Sequence, residues 1–225
     1  DGDAARQTRA AVEAGCEAVV CIGGDGTICE AVGELCHRDA TFYVVPGGTG
    51  NDFARGIGLP EDDEGLVNVL TGGKSRLIDA GMAGDGFFIN VAGFGFDVDV
   101  VRYTEKYKRR LNGMLPYMLG ILQSLIYLSR TEAEIVTDSG ETFNITVTLL
   151  SACNGTRFAG GINLAPLADY SDGLMDICIL KKISRLRFLY LLPKYMKGKH
   201  LKYKNEFLYF KAKSVKVKTL THSLM

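Results

Sequence analysis

Two stretches near the start of the chain, EAVVCIGGDGT (residues 17–27) and TFYVVPGGTGNDFAR (residues 41–55), share one pattern: an apolar run with β-branched residues, a glycine-rich loop, then polar residues able to open a helix. The apolar runs have the length and composition of buried parallel strands. Glycine lets a backbone turn sharply and aim its N–H groups at an anion. Two such loops ending neighbouring strands would form one anion-binding crevice at the carboxyl edge of a parallel sheet, where ligands of such sheets bind. Asp25 and Asp52 are spaced to hold a cation beside that anion.

Outward from these loops, residues 4–14 have helical composition and stop at Gly15, and residues 17–22 read as the first strand. A helix is expected from Thr27 to about Cys36, with Thr27 as its cap and Glu30 as the capping-box partner. Residues 41–45 are expected as a strand, 62–70 as a helix and 76–79 as a short strand. This alternation argues an α/β domain, a parallel sheet with flanking helices, over residues 1–80. The texture then changes. Residues 86–92 read as a strand, and 106–129 as mostly helical, with Leu111, Leu115, Met118, Leu122 and Leu125 at helical spacing. Residues 132–137 and 141–151 flank Asp138-Ser139-Gly140, a hairpin signal. Residues 175–180, 202–210 and 214–219 add strands. A second domain over residues 81–225, mainly antiparallel and of β-sandwich type, is the expectation.

The 225 residues are 47% apolar and 23% charged, enough to bury a sizeable core in one large domain or two modest ones. The formal net charge is zero but uneven. Residues 1–80 carry 14 Asp/Glu against 6 Lys/Arg, and from Lys181 onward 13 Lys/Arg accompany Glu206 alone. Such a basic region is either a solvated face or a surface held against an anionic membrane, at about 1 kcal/mol per nearby Lys/Arg. It contains no nucleic-acid module, and no nucleic-acid partner is expected. Cys16, Cys21, Cys29, Cys36, Cys153 and Cys178 form no CxxC pair and read as small core residues of a reducing compartment. The apolar stretch 114–128 is broken by Pro116 and Gln123 and falls short of the roughly 20 residues that span a bilayer. The expected location is cytoplasmic, peripheral at the inner membrane surface. The chain opens on Asp1, part-way into a helix, and reads as a fragment.

Neither glycine loop is the GxxxxGK[ST] phosphate loop, and no GxGxxG opens a helix. GGDGT alone could be a tight turn, Asp52 a helix cap, and Ser171-Asp172-Gly173 a plain turn. The first loop leads into a helix whose free N–H groups and dipole favour an anion. Thr49 adds a hydroxyl donor. Asp25, Asp52 and Asp79, each read at a strand's carboxyl end, suit a hydrated Mg²⁺ shared with substrate phosphates.

Together GGDGT (23–27), PGGTGNDFAR (46–55) and NLAPLADYSDGLMD (163–176) resemble the bacterial diacylglycerol kinase-like lipid kinases. These are similar to the catalytic domains of eukaryotic diacylglycerol, sphingosine and ceramide kinases. The likeness continues through LIDAG (77–81), INVAGFGFD (89–97) and YKRRLNG (107–113). GGDGT is shared with NAD kinases and, in variant form, with phosphofructokinases; PGGTGNDFAR belongs to the lipid branch. The resemblance implies ATP- and Mg²⁺-dependent phosphorylation of a lipid hydroxyl, diacylglycerol or a relative, drawn from a membrane surface. It implies that Gly23, Gly24, Asp25, Gly26 and Thr27 cradle the ATP phosphates, with Gly48, Thr49 and Asn51 also at the nucleotide. Asp25, Asp52 and Asp79 would form a carboxylate–water–Mg²⁺ network. Asp172 would bind a structural Mg²⁺ beside the carbonyls of Asp169 and Leu174. Lys108, Arg109 and Arg110 fall near a functional lysine of the family, and a solvated helix face explains them equally well.

Three departures stand out. The family's first strand and nucleotide loop precede the start of this chain. Cys29 stands where the family has Asn. The general base, the acid of a DGE-like motif beyond the last strands, is not present, and Glu206 in a strand-like segment is no convincing stand-in. Two other readings stay open: an NAD kinase-like phosphotransferase with a soluble acceptor, and a non-catalytic nucleotide-binding fragment. A homodimer is compatible with the sequence.

Overall fold

The computed structural model describes residues 2–108, 110–111 and 115–220. They fall into two compact units, one of Asp1–Val91 with Asn154–Gly173, the other of Ala92–Cys153 with Leu174–Met225. The fold class follows the expectation: an α/β part with parallel strands, then a part built on an antiparallel sheet.

In the first unit α1 (Asp3–Glu13) precedes β1 (Ala18–Gly23), α2 (Asp25–Leu35) and β2 (Thr41–Pro46). β1 and β2 pair in parallel from Ala18 opposite Thr41 to Gly23 opposite Pro46, so the two glycine loops leave the sheet side by side. α2 buries Ile28, Ala31 and Val32, spaced i, i+3, i+4 along one face, against Cys21, Val44, Phe53 and Ala54. The short α3 (Asp52–Gly56), α4 (Asp63–Thr71) capped by the Asp62 carboxylate, and the hairpin β3 (Gly81–Ala83) and β4 (Gly86–Phe88) complete the order.

Local expectations fail here for identifiable reasons. α2 begins at Asp25, because Gly24 takes an extended conformation and serves as N-cap; Thr27 lies inside the first turn and caps nothing. β1 buries only Cys21, since alternate side chains face opposite sides of a strand, and Val20 and Ile22 are 53% and 73% exposed. Residues 76–79 form no strand. The Asp79 N–H donates instead to the Tyr170 carbonyl, so tertiary contact satisfies the group a ladder would have used.

The second unit opens with β5 (Val91–Gly95), then α5 (Phe96–Lys108) and α6 (Leu115–Ile126). The helical region thus starts about ten residues earlier than its apolar spacing indicated and divides into two helices. β6 (Thr131–Thr137) and β7 (Thr142–Cys153) form the expected hairpin, with Gly140 at φ +83° in the turn. β8 (Met175–Lys181), β9 (Phe207–Ala212) and β10 (Val215–Thr219) complete a sheet ordered β10-β6-β7-β8-β9, with β5 also pairing with β7. α7 (Arg185–Met196) was not anticipated, and the strand expected over residues 202–210 begins only at Phe207, after a 3-10 turn at residues 200–202. Ile135, Val147, Leu150, Ile177 and Ile179 share one core cluster. Cys178 and Leu180, at alternating positions of β8, are buried as well, and so are Phe188, Leu191 and Tyr195 of α7. Burial on both faces explains why β8 reads as a continuous apolar run. No helix among the described residues is long and apolar enough to cross a membrane.

Candidate active site

The site is built in the first unit, where the loops after β1 and β2 touch backbone to backbone. The Gly47 N–H donates to the Gly23 carbonyl at 2.9 Å, carrying the ladder past the strand ends. A Cβ on Gly48 would lie 2.5 Å from the Gly24 Cα, and one on Gly24 would lie 3.0 Å from the Gly48 Cα. Neither position has room for a side chain, which is the physical reason for glycine in both loops.

Asp25 occupies the first turn of α2, where the leading N–H groups have no intrahelical acceptor. Its carboxylate points across to the second loop. Oδ2 accepts from the Asp52 N–H at 3.1 Å and Oδ1 from the Phe53 N–H at 2.9 Å, so Asp25 caps α3, which no side chain of its own caps. Asn51, at φ +51°, closes the second loop on itself. Its Oδ1 accepts from the Gly48 N–H and its Nδ2 donates to the Gly48 carbonyl, both at 2.9 Å. Thr49, Gly26 and Thr27 are exposed on these loops.

Asp52 is 3% exposed. Its Oδ2 accepts from the Gly160 N–H at 2.7 Å, while Oδ1 is buried with no hydrogen-bond partner among the described residues. Burial pushes this carboxyl above the usual range; the Gly160 N–H opposes the shift and the Asp25 charge adds to it. Both carboxylates border Gly50, 3.1 Å (Asp25 Oδ2) and 3.5 Å (Asp52 Oδ2) from where a Cβ would sit. Two carboxylates bordering one glycine, one of them with a buried oxygen that accepts no hydrogen bond, have the donor chemistry a divalent cation takes.

Asp79, in the same unit, is held by other partners. Its Oδ2 accepts from the Gly173 N–H at 2.7 Å, and its carbonyl from Asn154 Nδ2 at 2.7 Å. It therefore clamps the turn after Tyr170. Among the described residues no three His, Cys, Asp or Glu side chains come close enough to hold a metal directly. Tyr170 lies between the two groups: its ring packs edge-on against Phe53 at 5.7 Å, and its hydroxyl donates to Asn90 Oδ1 at 2.7 Å. Burial, reinforced by the charges of Asp52 and Asp25, raises its hydroxyl pKa, so the phenol stays neutral. Asp169 and Asp172 are exposed, and Asp169 Oδ1 accepts from the Ser171 N–H and hydroxyl. Leu174 follows and leads into β8.

Gly160, Tyr170, Asn90 and Asn154 were not singled out from sequence. The Gly160-Gly161 pair, both at positive φ, was the one available signal. Cys29 donates toward the Phe87 carbonyl at 3.6 Å, and burial pushes its thiol up, as for a small core residue. Glu206 is held by Arg187 at 2.6 Å. Lys108 pairs with Glu105, and Arg109 lies outside the described residues.

Residues 1–83 match the diacylglycerol kinase catalytic domain family, and residues 90–225 match the YegS C-terminal NAD kinase beta sandwich-like domain. A Chromohalobacter salexigens protein named "Probable lipid kinase YegS-like" is 36% identical over 191 residues, covering 83% of this chain and 61% of its own length. The Bacillus subtilis diacylglycerol kinase is 33% identical over 223 residues, covering 96% of this chain and 72% of its own. The chain thus spans about three fifths to three quarters of these relatives. The crystal structure of a diacylglycerol kinase from Bacillus anthracis str. Sterne shares the fold, with a TM-score of 0.73 at 23% identity over 98% of this chain and 72% of that one. The chain belongs to the diacylglycerol kinase catalytic-domain family, joined to a YegS-type C-terminal domain.

Proposed function

We propose that this chain carries the phosphate- and metal-binding machinery of a lipid kinase that moves the γ-phosphoryl group of ATP to a lipid hydroxyl, with diacylglycerol as the first choice of acceptor. One observation carries the proposal: the Asp25–Asp52 pair, set beneath two glycine loops in backbone contact, with the Asp52 Oδ1 buried and unpaired. The names of the relatives favour a lipid acceptor over NAD.

The leading N–H groups of α2, at Asp25, Gly26 and Thr27, would bind phosphate oxygens, and the exposed Thr27 and Thr49 hydroxyls would add donors. By capping α3, Asp25 fixes the position of Asp52, and the Gly160 N–H holds its Oδ2. Asp25 and Asp52 would hold Mg²⁺, which when bound would supply positive charge beside the phosphates. Neutral Tyr170 packs against Phe53 near the carboxylates and adds no negative charge there. Asp79 sets the 170–173 turn, a supporting role one step removed from the phosphates.

Incubation with ATP, Mg²⁺ and mixed lipids, followed by mass spectrometry, tests the proposal. A phosphorylated lipid, with diacylglycerol converted to phosphatidic acid, is expected. ATP consumption with NAD phosphorylated and lipids untouched would overturn it.

A further inference from the structure

One hairpin in the first unit has a tip whose backbone its own turn does not require. Phe158 and Ile162 form a bridge: the Phe158 N–H donates to the Ile162 carbonyl at 3.1 Å, and the Ile162 N–H to the Phe158 carbonyl at 2.9 Å. Three residues lie between them. A three-residue hairpin loop ordinarily needs a left-handed backbone only at its last position. Here Ala159, Gly160 and Gly161 all have positive φ, at +53°, +84° and +111°. For alanine that conformation is disfavoured by its Cβ, and the bridge does not call for it.

Space does not explain the two glycines either. A Cβ on Gly160 or Gly161 would have nothing within 4 Å. This separates them from Gly24 and Gly48, where a side chain has no room. What remains is the direction of their N–H groups. The Gly160 N–H donates to Asp52 Oδ2 at 2.7 Å, and the Gly161 N–H also stabilises the charged carboxylate. Successive N–H groups turned to one side form a concavity for an anion, and the anion here is the Asp52 side chain. Asp52 Oδ1 accepts no hydrogen bond among the described residues, so the orientation of this carboxylate depends on the tip.

The tip is itself well anchored. It lies on the second glycine loop, where a Cβ on Gly50 would be 3.5 Å from the Gly160 Cα. Behind it Ile162, Leu164 and Ala165 are buried, and the Ala165 N–H donates to the Thr156 carbonyl.

We propose that residues 159–161 form a carboxylate-binding nest, in which Gly160 and Gly161 are positioning residues that hold the Asp52 side chain in one orientation for a cation. That Asp52 takes a cation rests on the lipid-kinase proposal above; the nest around its carboxylate does not.

The test compares Gly160→Asn with Gly160→Val. Neither side chain meets a neighbour at its Cβ, so the two differ in the backbone they allow. Asn tolerates a positive φ, and β-branched Val does not. Mn²⁺ is titrated into each protein at saturating β,γ-imido-ATP, with the free ion followed by electron paramagnetic resonance. Gly160→Val should bind Mn²⁺ about tenfold or more weakly, as when a group orienting a metal ligand is lost. Gly160→Asn should bind it like wild type. Equal affinity in wild type and Gly160→Val would overturn the proposal, whatever the change in melting temperature, because the tip would then be only a turn. So would an Asn variant as weak as the Val variant. Hydrogen exchange of the Gly160 amide reads the nest without metal or nucleotide: slow exchange is expected in wild type, and exchange about tenfold or more faster in Asp52→Ala. An amide equally protected in both would also overturn it. If wild type binds no Mn²⁺ at all, the metal reading behind the proposed function fails, while amide exchange still judges the nest.

Discussion

Gly48 and Gly26 make opposite predictions for the same substitution. A Cβ at Gly48 would lie 2.5 Å from the Gly24 Cα, 3.0 Å from Asn51 Oδ1 and 3.3 Å from the Gly24 nitrogen. Carbon atoms pack at about 3.5–4.0 Å, so Gly48→Ala must move one backbone by about an ångström. That movement is resisted on both sides, by the Gly47–Gly23 hydrogen bond and by the bonds from Asp25 to the start of α3. Overpacking of this kind costs about 1–3 kcal/mol. Gly26 sits in the first turn of α2 with nothing within 4 Å of a Cβ and no positive φ. Gly26→Ala should therefore stabilise the apo chain by about 0.5–1 kcal/mol. Its methyl group would nonetheless stand where phosphate is proposed to meet the helix N-terminus, and ATP affinity should fall. Urea denaturation with parallel ATP titrations separates the effects, with stability expected in the order Gly26→Ala, wild type, Gly48→Ala. A Gly48→Ala chain as stable as wild type would refute the loop contact. A Gly26→Ala chain with undiminished ATP affinity would refute the phosphate cradle.

Asp52→Asn should stabilise the apo chain at neutral pH, because the buried carboxylate is disfavoured when charged; Mg²⁺ with ATP should raise the melting temperature of wild type and leave the variant nearly unmoved. Asp25→Ala leaves the Asp52 and Phe53 N–H groups without their acceptor and should cost about 1–3 kcal/mol in urea denaturation, with Asp25→Asn costing less because an acceptor oxygen remains. In the second unit Asp97 accepts from Ser151 and Tyr195, and burial pushes its carboxyl from 3.8 to about 6. The folded chain then keeps a proton that the unfolded chain releases between about pH 4 and 6, so stability falls as pH rises through that window. The fall is up to about 3 kcal/mol, at about 1.4 kcal/mol per pH unit. Denaturation midpoints across this range should show the slope in wild type and lose it in Asp97→Asn.

The parts of the fold legible in the sequence are those fixed by local chemistry. Alternating β-branched runs and glycine loops announced β1, α2 and β2, and Asp138-Ser139-Gly140 announced the β6–β7 hairpin. Elsewhere distant contacts overrode local preference. The helix was expected only from residue 106, yet α5 begins at Phe96, and Gly120 of α6 meets it at Val100 and Thr104. Arg76-Leu77-Ile78-Asp79 looked like a strand end, but the partners of Asp79 are Tyr170, Gly173 and Asn154, far along the chain. The same distance hid Gly160 as the donor to Asp52. Carboxylates and glycine loops can be named from sequence; which groups hold each carboxylate depends on hydrogen bonds across about a hundred residues.

The most direct measurement is transfer of labelled γ-phosphate from ATP to diacylglycerol, with and without Mg²⁺, by the intact protein and by its Asp25→Asn and Asp52→Asn forms. Mg²⁺-dependent phosphatidic acid is expected from the unaltered protein and none from either variant, each still folded by circular dichroism. Equal transfer by the variants, or transfer indifferent to Mg²⁺, would contradict it.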